Sequence, residues 1–133
     1  MTKNQILLFF ILLTLGFTTN VQDTKFKLIV FEGSDWCSNC IRLEKNVLSK
    51  LSFEAFLNDK NIDFKRVDFP QRKQLSELDK KRNAEIAEKY NFKGAFPTVL
   101  LIDESSNLIF TIPYQSQNSE AFISLIQSKI SLK

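Results

Sequence analysis

Histidine is absent from this chain of 133 residues, and cysteine occurs only twice, at Cys37 and Cys40. The absence of histidine excludes catalysis by a cysteine–histidine pair. It also limits zinc binding, because a structural zinc ion takes four cysteine or histidine ligands and this chain offers two. A complete site of that kind would need a second chain, so we predict no metal site.

The chain also lacks the patterns typical of nucleotide and nucleic-acid binding. It contains no G-x-G-x-x-G or P-loop sequence. Its 18 basic and 15 acidic residues give a net charge of +3, and they alternate along the chain instead of forming a stripe. We therefore predict no nucleic-acid partner. A chain of this length with 44% hydrophobic residues fits a single globular domain.

The N-terminus has the composition of an export signal. Lys3 precedes an apolar run that extends from Ile6 to Phe17, and a polar segment follows it. This run is shorter than the roughly 20 residues that span a bilayer. We therefore predict a signal peptide in residues 1–20 and a folded domain in residues 21–133, exported to the periplasm or the extracellular space. No A-x-A cleavage site is present, so an uncleaved anchor is the alternative and would be the chain's one attachment to a membrane.

Both cysteines lie in the stretch FEGSDWCSNC, residues 31–40. A disulfide between them would close a loop of a few residues and would add little stability, because the gain grows with loop length. C-x-x-C at the start of a helix favours a thiolate at Cys37, where unpaired N–H groups and the helix dipole act. Glu32 and Asp35 oppose that effect, so moderate activation is expected. Cys40, one turn later, could resolve a mixed disulfide.

The hydrophobic pattern predicts an α/β fold. An amphipathic helix is expected to start near Cys37 with Ile41, Val47, Leu48 and Leu51 on its apolar face. In order, the sequence predicts strand 26–31, that helix, strand 62–69, a polar helix 74–90, strands 98–102 and 108–112, and a last helix over 121–130. This order requires a parallel strand pair and a later antiparallel hairpin. We therefore expect a mixed sheet of four or five strands with helices on both faces.

The sequence resembles a known family in two of its motifs. Two motifs stand in order about sixty residues apart, Asp35-Trp36-Cys37-x-x-Cys40 after a strand and Phe96-Pro97-Thr98 at the start of another. The arrangement from residue 26 to the C-terminus resembles the thioredoxin superfamily. It is similar above all to secreted bacterial thioredoxin-like proteins with a GSDWCxxC motif and to the C-terminal domain of the membrane thiol:disulfide interchange protein.

The resemblance implies a role for each motif residue. Cys37 would be the attacking cysteine and Cys40 the resolving one, with no bound cofactor. Trp36 would pack beside the active-site surface. Pro97 would be a cis-proline that faces the disulfide and shapes the groove for substrate backbone. Phe96 would help to line that groove, although ordinary core packing explains a phenylalanine there nearly as well.

The chain departs from thioredoxins in three places. They carry a buried aspartate six residues before the first cysteine, which helps to move the proton of the resolving thiol, and this chain has Phe31 there. Glu32 is adjacent, but strand alternation points it to the other face, so water is the default acceptor. The dipeptide between the cysteines is Ser38-Asn39 instead of Gly-Pro. The polar stretch 70–89 is longer than the same connection in thioredoxin.

Two classes of function follow from these residues. The first is an exported thiol–disulfide oxidoreductase, a reductase or isomerase, that exchanges disulfides with protein substrates through Cys37 and Cys40. A membrane thiol protein that donates electrons would be a second partner. The alternative is a non-catalytic binding or chaperone module with the same fold and an inert C-x-x-C. A peroxide-reducing enzyme is a third and weaker hypothesis, because no threonine that could orient a peroxide lies shortly before Cys37.

Overall fold

A computed structural model of the protein describes residues 25–132. In chain order the elements are β1 (Phe26–Glu32), α1 (Ser38–Leu43), a π-helical turn (Glu44–Leu48), α2 (Leu51–Asp59), β2 (Ile62–Asp68), α3 (Glu77–Lys89), β3 (Thr98–Asp103), β4 (Leu108–Thr111) and α4 (Ser119–Ile130). The predicted signal peptide or anchor at 1–20 lies outside the described residues. Across the part that the structure describes, no helix has the length and apolar character needed to cross a membrane.

The four strands form one mixed sheet in the order β2-β1-β3-β4. β1 pairs with β2 in parallel, and α1, the π-helical turn and α2 make the crossover between them. β1 also pairs with β3 in the antiparallel direction, and β3 pairs with β4 as a hairpin. The predicted α/β fold with a mixed sheet is therefore confirmed, with four strands in the described residues.

Two hydrophobic cores lie on opposite faces of this sheet. The larger joins one face of β1 and β3 to the crossover helices and α4, and its fully buried side chains include Leu28, Val30, Leu43, Val47, Phe53, Leu101, Phe122 and Ile126. The smaller lies under α3 and contains Ile29, Phe31, Val67, Leu100 and Ile102. Helices on both faces were predicted, and this arrangement confirms them. α3 is polar and buries no residue completely, so it covers its face thinly.

The inner face of the first helix differs from the predicted one. Ile41 is 50% exposed and Leu51 is 82% exposed, while the buried positions are Cys40, Leu43 and Val47. The apolar stripe starts one residue earlier because Cys40 takes the inward position. The π-helical turn has one more residue per turn than an α-helix, and the chain leaves the helix before α2 begins. Leu51 therefore no longer lies on the buried face that the periodicity predicts.

A partly buried ion pair ties the end of β1 to β2. Glu32 is 3% exposed and accepts two hydrogen bonds from Arg66, from Nε at 2.7 Å and from Nη2 at 2.9 Å. Nη2 also lies 2.6 Å from Glu44 Oε2, as an ion pair without hydrogen-bond alignment. Hydrogen bonding to Glu32 holds the pKa of Arg66 above its ordinary value. One guanidinium thus joins β1, β2 and the π-helical turn.

We predict that Arg66→Met destabilises the fold by roughly 2 kcal/mol, because Glu32 loses two hydrogen bonds and its counter-charge, and the partly exposed site of Arg66 gives water some access to it. Lys27→Met is the matched control. Lys27 pairs with Glu104 at 2.6 Å at the surface, so its loss should cost less than about 1 kcal/mol. Urea unfolding measures both. Adding Glu32→Gln to Arg66→Met should recover part of the loss, and equal losses in the two single variants would contradict the assignment.

Candidate active site

The active-site loop, residues 33–36, leads directly from the central strand into the first helix. β1 ends at Glu32, and the loop closes on itself as the N–H groups of Trp36 and Cys37 donate to Gly33 O at 3.2 and 2.9 Å. Gly33 is required for a steric reason. A Cβ there would lie less than 3.0 Å from three atoms of the Trp36 indole. The loop therefore places Cys37 at the N-cap of α1, with the Trp36 indole packed against Gly33.

Cys37 and Cys40 are joined by a disulfide, with their Cα atoms 5.2 Å apart. The backbone N–H of Cys40 donates to Cys37 Sγ at 3.2 Å, so this sulfur caps the first turn of α1. Cys37 is 7% exposed and Cys40 is 1% exposed. Cys37 is thus the more exposed of the two, and the order in which Cys37 attacks and Cys40 resolves stays a prediction.

Three aromatic residues from different parts of the chain meet beside Cys37. The rings of Trp36 and Phe96 pack in a T-shaped arrangement with their centroids 5.3 Å apart, and the ring centroids of Phe69 and Phe96 are 5.9 Å apart. Trp36 Nε1 donates a hydrogen bond of 2.8 Å to the carbonyl of Phe69. The Phe96–Pro97 peptide bond is cis, as the resemblance implies. The structure thus brings Trp36, Phe96 and Pro97 together, and it adds Phe69 to them.

Two carboxylates fasten the active-site loop to the chain that follows β2. Asp35 accepts the backbone N–H groups of Gln71, Arg72 and Lys73 at 2.9, 2.8 and 2.8 Å. Asp68, at the end of β2, accepts the backbone N–H of Ser34 at 2.9 Å and its hydroxyl at 2.6 Å. The active-site loop therefore supplies a carboxylate to the backbone of residues 71–73, and the end of β2 supplies one to the backbone of Ser34.

These contacts shift the titration of both acids in the same direction. The hydrogen bond from the Gln71 backbone, with those from Lys73 and Arg72, lowers the pKa of Asp35. Burial raises the pKa of Asp68, but hydrogen bonds from Ser34 and Lys73 outweigh it, so this pKa is also lowered. Both fall below the ordinary value of 3.8. The contacts are therefore stabilising above that pH, and the stabilisation is lost as the pH falls through the folded-state values.

Glu32 and Phe31 point to opposite faces of the sheet. Phe31 lies in the smaller core, where its ring stacks on Phe92 at 4.4 Å. Glu32 points to the opposite face, as alternation predicted. That face, however, is the one covered by α1, which carries Cys40. A buried carboxylate therefore does lie under the active-site helix, where it is paired with Arg66.

Sequence reasoning missed three contributions to this site. The sequence presents Asp35 as an acid that opposes thiolate formation, yet its carboxylate anchors residues 71–73. It predicts a strand at Asp68 and Phe69 and no role for them in the site. The hydrogen bonds that link the active-site loop to Asp68, Phe69 and residues 71–73 each join positions more than thirty apart, and no local pattern reports such pairs. In residues 25–132, no group of three or more cysteine, histidine or acidic side chains could hold a metal ion.

Comparisons with known proteins agree with this geometry. A family model described as a thioredoxin-like domain matches residues 17–128. The chain is 29% identical over 112 residues to the disulfide bond reductase DsbH of Chlamydia pneumoniae, and the match covers 84% of this chain. It spans 66% of the length of that relative.

Solved structures give the same result. One described as DsbH oxidoreductase has a TM-score of 0.73 and 28% identity, covering 84% of this chain and 76% of the other. The C-terminal domain of DsbD from Neisseria meningitidis, in its oxidised form, has a TM-score of 0.51 and 15% identity, covering 78% and 79%. The second likeness concerns the fold alone.

The fold and the C-x-x-C pair define the class of this protein as thioredoxin-like. The chain belongs to the thioredoxin-like family, and among known proteins it is similar to the disulfide bond reductase DsbH. The resemblance inferred from its two motifs is therefore confirmed.

We predict that Gly33→Ala displaces Trp36 and costs roughly 1–3 kcal/mol, because the new methyl group overlaps the indole. Trp36 is the only tryptophan, so its fluorescence reports the displacement directly. Gly94→Ala is the control. Gly94 has open space around it but a φ of +80°, so the substitution should cost about 1 kcal/mol through backbone strain. A Gly33→Ala protein with unchanged fluorescence would contradict the packing described.

Proposed function

We propose that this chain is an exported thiol–disulfide oxidoreductase that reduces disulfides in protein substrates through Cys37 and Cys40. The observation that carries the proposal is the position of the disulfide, between the N-cap of α1 and the first turn of that helix. In the reduced protein, the same N–H group that now donates to Cys37 Sγ stabilises a thiolate there. A structural disulfide would gain nothing from this position.

The first step is attack by the Cys37 thiolate on one sulfur of a substrate disulfide. The substrate S–S bond breaks, its second sulfur leaves as a thiolate, and that thiolate takes a proton from water. A mixed disulfide then joins Cys37 to the substrate. Trp36, Phe96 and Pro97 form the groove that holds the substrate backbone during this step, and Phe69 extends the groove.

The second step releases the substrate. Cys40 loses its proton and attacks Cys37 Sγ, the mixed disulfide breaks, and the substrate leaves with its second cysteine reduced. Two electrons have moved from the Cys37–Cys40 pair to the substrate. The burial of Cys40 protects its thiol from outside oxidants and leaves Cys37 Sγ as its nearest target.

A further donor must return the pair to its dithiol form. A membrane protein with a reduced thiol pair is the partner we propose, because the N-terminal segment directs this chain out of the cytoplasm, to the periplasm or beyond. The reducing direction is supported by the name of its relative, a disulfide bond reductase. An isomerase would use the same residues and would differ only in the relative stability of dithiol and disulfide.

Two matched variants test this assignment. Cys37→Ser and Cys40→Ser both abolish the internal disulfide, but only Cys40→Ser keeps the attacking sulfur. We predict that Cys37→Ser reduces insulin no faster than dithiothreitol does without protein. Cys40→Ser should form a stable mixed disulfide with insulin, which mass spectrometry detects as an adduct.

Urea unfolding of both variants shows whether they remain folded. A folded Cys37→Ser protein that still reduces insulin would overturn the role of Cys37. A wild-type protein that neither reduces nor oxidises insulin would overturn the enzyme assignment and favour the binding-module alternative.

A further inference from the structure

The 69–73 loop, which connects β2 toward α3, is built into the surface around Cys37. Asp35, two residues before Cys37, accepts three consecutive backbone N–H groups from Gln71, Arg72 and Lys73. Three hydrogen bonds to one carboxylate fix the path of this segment. Loops usually move more than the elements they connect. Three hydrogen bonds from one loop to a single side chain therefore require an explanation.

The loop also continues the aromatic surface of the site. Phe69 contributes its carbonyl to Trp36 Nε1 and its ring to Phe96. Both partners belong to the proposed substrate groove. The exposed residues that follow Phe69 therefore stand at the rim of that groove, held in place by Asp35.

The unpaired charge of the 69–73 loop is positive. Arg72 is exposed, and within residues 25–132 its guanidinium has no hydrogen bond or ion pair. Its neighbour Lys73 is paired with Asp68. Arg72 is therefore the cation of this loop that an incoming peptide could bind.

The acids of the same region are already engaged. Both oxygens of Asp35 accept backbone N–H groups of the 69–73 loop. Asp68 accepts from Ser34 and pairs with Lys73 at 2.9 Å. An incoming peptide therefore meets the unpaired guanidinium of Arg72 and carboxylates that are turned toward the protein's own backbone.

We propose that the 69–73 loop is a substrate-binding element that favours disulfides flanked by acidic residues of a polypeptide, and that Asp35 is the positioning residue that holds Arg72 at the groove. This inference rests on the proposed function, because it concerns the substrates of the same cysteine pair. It assigns the start of the polar segment after β2 to substrate selection.

The test compares two synthetic peptides that contain the same internal disulfide, flanked by glutamates in one and by lysines in the other. The reduced protein is mixed with each peptide, and the second-order rate constant for oxidation of the Cys37–Cys40 dithiol is measured relative to that with hydroxyethyl disulfide, a small neutral substrate. We expect the acidic peptide to be preferred about fivefold, the size of one exposed charge contact. The preference should shrink in high salt, which screens exposed charges.

Arg72→Gln should remove most of this preference. Lys60→Gln is the matched control, because it also deletes one positive charge. Lys60 lies between α2 and β2, at the opposite end of β2 from Asp68. It should leave the preference and the basal rate unchanged. An equal loss in both variants would mean that net charge alone sets the preference, and it would overturn the role of the loop.

Substitution of Asp35 separates two explanations, because they predict opposite changes in the preference for the acidic peptide. If Asp35 acted only as a negative charge, Asp35→Ala and Asp35→Asn would both increase the preference for the acidic peptide. If it positions Arg72, the preference should fall, and it should fall further in Asp35→Ala, because asparagine keeps one acceptor oxygen. Dividing by the rate with hydroxyethyl disulfide removes any general loss of activity.

The outcomes separate this inference from the proposed function. Equal rates with both peptides, or a preference for the basic one, would overturn the inference and leave the oxidoreductase assignment intact. Failure to reduce either peptide and hydroxyethyl disulfide would overturn the proposed function, and the inference with it.

Discussion

The rest of the structure depends on the burial of β1 between two neighbours and two cores. This strand pairs with β2 on one edge and with β3 on the other, and its residues 28–31 are at most 1% exposed. Such a strand cannot shift its register without exposing one core or the other. Its last residue is therefore a fixed point, and Cys37 follows it by five residues. The active site inherits its position from the sheet.

Most of the fold could be predicted from the sequence because it follows from local pattern. β1 and β3 are continuous apolar runs, β2 alternates, and the C-x-x-C motif marks a helix start. The first helix was harder, because periodicity alone cannot foresee the π-helical turn or the inward position of Cys40. The predicted apolar face therefore included Ile41 and Leu51, which are exposed.

The cysteines of the candidate site were predictable for chemical reasons, but its walls were not. Asp35 and Asp68 look like ordinary surface acids in the sequence, and they become anchors only when β2 brings them together. Glu32 shows the same limit. Alternation gave its face correctly, yet only the packed structure shows that α1 covers this face and that Arg66 balances the charge. One of the two acids expected to oppose a thiolate is therefore paired with a guanidinium, which it shares with Glu44.

The most direct test of the reductase assignment is the equilibrium of the Cys37–Cys40 pair with thiol buffers of known potential. Rapid alkylation followed by mass spectrometry gives the fraction of dithiol at each potential. For this two-electron couple, 30 mV corresponds to about 1.4 kcal/mol. We expect a potential near that of thioredoxin, about −270 mV. A potential near −120 mV, roughly that of the oxidant DsbA, would contradict the assignment.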